Sequence, residues 1–139
     1  MKRKSIVFLL IVLLFSFCFA GCEDGKGKSQ MSVSVQTDQI VLYCMATEGK
    51  ETLIDAMASL QESGELQYAV LSGMVTELNG KANTANSYWM LYTSDAELSN
   101  TAWGAIEYER KTLGSAIVGA EALTVEKGEY YVWVYQTFL

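Results

Sequence analysis

The sequence contains no histidine. That removes the commonest general base, the usual zinc ligand and the Ser-His-Asp triad together. The nucleophile elbow of hydrolases, the P-loop and the dinucleotide-binding glycine fingerprint are missing as well. Gly114-Ser115-Ala116 has no second glycine at the spacing an elbow needs. Basic residues are outnumbered, ten against sixteen acidic, for a net charge of −6. Such a balance argues against nucleic acid and against a basic membrane-facing patch. Carboxylates remain as candidates for chemistry. Glu107 and Glu109 stand at i, i+2, which on a strand is one face. Asp95 and Glu97 fall in a polar stretch without the calcium-loop pattern. In a chain this acidic, such pairs read as solvated surface. The expectation is a chain that is not an enzyme, with no catalytic residue, metal or cofactor.

What is present starts with the N-terminus. Lys2, Arg3 and Lys4 precede an apolar run, Ile6 to Phe15, that continues through Phe17 to Ala20. A basic n-region, an apolar h-region and a small-residue junction make a secretory signal. The run falls just short of the ~18 to 20 apolar residues a membrane span needs. Its end, Phe19-Ala20-Gly21-Cys22, resembles the lipobox of bacterial lipoprotein signals. The resemblance implies cleavage before Cys22 and lipid attached to the Cys22 thiol, with residues 1–21 as signal peptide. The protein would then be exported and lipid-anchored at the extracellular face of the cell membrane.

Of the three cysteines, Cys18 would leave with the signal and Cys22 would carry lipid. Cys44 then has no partner and reads as a buried thiol in Ile40-Val41-Leu42-Tyr43-Cys44-Met45. Residues 22–31 include a Gly-rich charged stretch, Glu23 to Gln30, without an apolar side chain. It reads as a flexible tether. Ordered structure is expected from about Ser32, with one domain over 32–139.

Within that domain the periodicity predicts strands at Ser32–Gln36 and Gln39–Met45, either one bent strand or a hairpin turning at Thr37-Asp38. Leu53, Ile54, Met57 and Leu60 form the apolar stripe of a helix over about 52–63. Thr52 with Asp55 fits its N-terminal capping box, and Gly64 its C-terminal cap. Further strands are expected at Leu66–Val70, Met74–Leu78, Ser87–Thr93 and Glu129–Phe138. Asn79-Gly80 marks a tight hairpin turn. Asp95 to Trp103 reads as a long polar loop, Gly104–Tyr108 as a short strand, and Thr112–Gly119 fits no single template. One helix among several strands gives α+β, a mixed or antiparallel sheet with the helix packed on one face.

Aromatic residues crowd the second half. Tyr88 and Tyr92 must face away from Trp89, because strand side chains alternate. Some of these rings therefore face outward, where they serve binding. Trp103 is the leading outward candidate.

The helix Thr52–Met57, then Leu78-Asn79-Gly80, Ser87-Tyr88-Trp89-Met90-Leu91-Tyr92, Gly104 with Tyr108, and Leu123–Gly128 before an aromatic strand carry a family likeness. This pattern resembles the DUF4430 family of bacterial surface domains, similar to the C-terminal domain of transcobalamin and intrinsic factor. The resemblance implies a β-grasp-like fold and a binding module. It implies ligand contact at Tyr88, Trp89 and Met90, and at the loop reaching Trp103 and Gly104. Cobalamin, or another corrinoid or small molecule, would be a ligand and not a catalytic cofactor. The vitamin carriers close over their ligand with a helical domain, so a transporter or other surface protein would supply that half here. A surface protein–protein module without a small ligand is the alternative.

Overall fold

The structure, a computed structural model, describes residues 28–139. The signal peptide (1–21), Cys22 and the tether as far as residue 27 lie outside the described residues. The elements are β1 (Gln30–Val35), β2 (Gln39–Ala46), α1 (Leu53–Glu62), β3 (Tyr68–Leu71), β4 (Met74–Leu78) and β5 (Lys81–Ala82). β6 (Ser87–Thr93), a 3-10 turn (Ala96–Leu98), β7 (Ser99–Tyr108), β8 (Lys111–Ala116) and β9 (Tyr130–Thr137) complete the chain. Six strands form one sheet in the order β1-β2-β9-β6-β8-β7, and β3-β4-β5 form a second. Every pairing is antiparallel. The architecture is α+β, mostly antiparallel sheet with one helix.

The last strand in sequence, β9, sits centrally between β2 and β6. Its alternation explains the placement. Tyr131 and Trp133 join the main core with Leu42, Met57 and Leu123, while Val132 joins Val41, Tyr92 and Leu113 on the opposite face. A strand apolar on both faces is stable only with cover on both. Each fully buried Leu or Val there contributes roughly 1.5–3 kcal/mol.

The helix buries Leu53, Ala56, Met57 and Leu60. Ile54, read as part of the stripe, is only half-buried. Thr52 caps the first turn, its Oγ1 accepting from Asp55 N–H at 3.4 Å. The two donors before it are satisfied from elsewhere: Leu53 N–H donates to Leu123 C=O at 2.7 Å, and Ile54 N–H to Ala120 C=O at 3.0 Å. The helix start is thus tied to the segment 119–125, whose first residues, Gly119 and Ala120, line the candidate site. Gly64, at φ +79°, closes the other end, as its lack of Cβ permits.

Several expectations are corrected. The first strand begins at Gln30, two residues before Ser32, and Met31 reaches the core beside β2. Residues 32–46 form a hairpin and not a bent strand, closed by Gln36 N–H donating to Gln39 C=O at 2.8 Å. The largest change concerns the supposed loop Asp95–Trp103. Its second half belongs to β7, a ten-residue edge strand. An edge strand with no fully buried side chain needs no apolar alternation, so nothing marked this half as β. Glu107 and Glu109 do not share a face either. Glu109 occupies the β7–β8 turn with Arg110, at φ 47° and 63°.

Burial shapes four side chains chemically. The free Cys44 thiol is buried and its pKa is raised by that burial. Burial likewise pushes the Tyr131 phenol above its ordinary value, although Glu126 N–H donates to its oxygen at 2.7 Å. A pKa raised in the folded state favours the neutral phenol there. Its stability is complete below the ordinary value of 10.0 and is lost as pH climbs above it. Tyr68 and Tyr108 shift the same way. Urea midpoints should therefore fall between pH 9 and pH 11, with Tyr131 alone contributing up to about 1.4 kcal/mol per pH unit. Tyr131→Phe should flatten that slope, and an unchanged slope would show that the phenol titrates freely.

Candidate functional site

Along most of its length β6 has a strand on one side only. Pairing with β9 runs from Ser87↔Thr137 to Thr93↔Tyr131, but pairing with β8 is confined to Tyr92↔Ser115 and Thr93↔Gly114. Beyond Ala116 the chain leaves the sheet and runs through Ile117 to Ala120. A cavity of about 390 Å³ opens in the gap. The β3–β4 turn forms one wall with Gly73 and Met74, the segment 115–120 the other, and Trp133 is part of the lining. This volume is at the lower end of the ~300–1,000 Å³ typical of ligand sites.

Tyr88, Trp89 and Met90 all line this cavity. Trp89 faces the main core, whereas Met90 packs against the opposite cluster. The cavity meets both because it follows the strand's edge and not a face. Trp89 is held firmly. Its indole N–H donates to Lys81 C=O at 2.7 Å, its backbone N–H donates to Asn83 Oδ1 at 2.9 Å, and Tyr135 meets it edge-on at 5.1 Å. Tyr88 stays partly exposed, its hydroxyl donating to Ala85 C=O at 2.8 Å.

Trp103 and Gly104 are not brought to this cavity. In the β7–β8 register Asn100 faces Ser115 and Ala105 faces Gly114, so Thr101 to Gly104 bulge from the ladder. Trp103 is 67% exposed on that bulge. Gly104 lies against Tyr92, where a Cβ would make ordinary contact at 3.4 Å from Cε1. Gly114 lets the bulge approach, since a Cβ there would meet Thr101 N at 3.0 Å.

Sequence reading missed Trp133 and Ile117. Trp133 lies opposite Leu91 across the β6–β9 ladder. Its indole Nε1–H is the one buried side-chain polar atom without a partner among the described residues. Leaving a donor in that state costs about 1–3 kcal/mol. The only available signal was the alternation of β9, and it does not reveal what lies beside a ring.

The cavity lining carries no charged side chain; Asn83, Ser115, the Tyr88 hydroxyl and the two indole N–H groups supply its side-chain polarity. The arrangement offers apolar contact, ring faces and a few hydrogen bonds, which is the chemistry of binding. Among the described residues no cluster of three or more metal-ligating side chains occurs. No helix among them is long and apolar enough to cross a membrane. Compared with known proteins, the chain matches no protein-family model, no curated protein and no solved structure.

Proposed function

We propose that this chain is a lipid-anchored, cell-surface binding protein that captures a small, largely apolar ligand in the groove beside β6 and presents it to a transporter or other partner. The reading treats the domain as a β-grasp-like member of the DUF4430, transcobalamin-like group, anchored through Cys22. One observation carries it. Tyr88, Trp89 and Met90, the positions the family resemblance assigns to ligand contact, converge on an apolar groove. That groove is too small to enclose a corrinoid, so it would take one edge of such a ligand and leave the rest to a partner. Half a clamp binds weakly, because the ordering cost is set against fewer contacts.

The protein–protein alternative rests on Trp103, an exposed ring on the β7 bulge. It calls for a flat aromatic patch. The concave groove favours capture of a ligand.

Tryptophan fluorescence and calorimetry on the full chain in lipid nanodiscs test the reading, with cobalamin and cobinamide as probes at ~100 μM, between the micromolar and millimolar dissociation constants of weak sites. A saturable change is expected. Ile117→Glu should reduce affinity at least tenfold by placing a charge against an apolar ligand. Ile117 is 41% exposed, so the fold should tolerate the change. Unaltered binding in Ile117→Glu would remove the groove from consideration.

A further inference from the structure

The open edge of β6 has a hydrogen-bonding pattern as well as a shape. Even-numbered residues of β6 bond toward β9, as shown by Phe138 N–H donating to Asn86 C=O and Ser94 N–H to Tyr130 C=O in the same register. Odd-numbered residues therefore present their N–H and C=O groups to the groove side. Ser87 is satisfied there by Thr84, which donates to its C=O at 2.8 Å and accepts from its N–H at 3.1 Å. Trp89 N–H is taken by Asn83 Oδ1. The β8 ladder reaches no further than Tyr92. That leaves Trp89 C=O facing the groove without a strand opposite it, and Leu91 N–H facing it at the point where β8 turns away from β6 at Ala116.

These two groups flank Met90. An acceptor at i−1 and a donor at i+1 are the pair that one residue of a parallel neighbour engages, donating its own N–H to the first and accepting at its C=O from the second. We propose that the ligand of this groove is a short extended peptide, running parallel to β6, with uncharged apolar residues against Trp89, Leu91 and Ile117. Trp133 Nε1–H is an independent second feature. It is buried, unpartnered and part of the same lining, and a second acceptor on the ligand would satisfy it.

The surroundings suit a peptide. Exposed Leu71 and Met74 on the β3–β4 turn and Ile117 opposite prolong the apolar surface outward, so contact continues past the edge itself. The Glu121 carboxylate lies beside Gly73 on the margin, 3.1 Å from where a Cβ would stand. With sixteen acidic residues against ten basic, a basic residue flanking the apolar segment is the complementary choice. Main-chain bonds would supply affinity and the walls would select side chains, as in strand addition generally.

The proposal rests on the groove being the binding site, and the test separates the two. The probe is acetyl-Leu-Val-Leu-Lys amide, titrated into the nitrogen-15-labelled full chain in nanodiscs. The Leu91 amide and Trp133 indole resonances should move together and saturate. Methylating the central peptide nitrogen should weaken binding about fivefold or more, since it deletes one donor without touching the protein. Equal binding of the methylated peptide overturns strand addition. Cobinamide binding that depends on Ile117, with no peptide response, also overturns it while leaving the groove as the site. If no probe responds to Ile117→Glu, both readings fall.

Discussion

Leu123→Ala should lower the unfolding free energy by about 2–5 kcal/mol, the range for removing a fully buried leucine. Leu123 is 0% exposed and belongs to the main core with Leu53 and Met57. The substitution leaves its backbone bonds available, namely C=O to Leu53 N–H at 2.7 Å and N–H to Gly119 C=O at 3.0 Å. It does remove the side chain that presses segment 119–125 onto the helix start. Against a total stability of roughly 5–15 kcal/mol for a small domain, this is a large fraction. Urea midpoints measure it, with Ile117→Glu as the comparison in the neighbouring wall, expected to stay within about 0.5 kcal/mol. Ligand affinity should fall in Leu123→Ala as well, because Gly119 and Ala120 line the groove. A loss below about 1 kcal/mol would mean that the segment can collapse around the missing leucine, in which case the groove wall is not rigidly held.

Cys22→Ser should abolish lipid attachment at this position, and with it the lipoprotein-type cleavage before residue 22. On the proposed anchoring, the thiol takes a diacylglycerol through a thioether, and a serine hydroxyl does not replace it. Each buried CH₂ contributes ~0.8 kcal/mol, so two long chains supply on the order of 20 kcal/mol of attachment. Among the described residues no helix offers a substitute span. Fractionation of cells followed by mass analysis of the N-terminal peptide reads both localisation and lipid. An unmodified Cys22 in the native protein would overturn the anchoring.

Legibility from sequence followed how local the determining physics was. The helix was readable because its stripe and both caps, Thr52 and Gly64, lie within a dozen residues of one another. The Asn79-Gly80 turn was readable because both residues tolerate the positive φ they adopt, 48° and 82°. The Glu109-Arg110 turn has the same local geometry with φ 47° and 63°, yet neither residue advertises it. Its pairing partners, not its own preferences, hold it there. The alternation of β9 announced two buried faces without saying which strands would cover them.

Of the site, Tyr88, Trp89 and Met90 were singled out by the family resemblance that their strand helps to carry. Trp103 was singled out for its ring chemistry, and it stands on the β7 bulge instead.

The sequence alone determined the α+β class, the helix and most strands, since composition, period and turn preference are properties of neighbouring residues. Only the tertiary structure decided the rest. β9 inserts between β2 and β6, β8 leaves β6 after two paired residues, and an open edge meets Trp133 beside the loop 115–120. Those facts depend on which distant segments pack together, and that is settled by burial summed over the whole chain and not by any stretch of it.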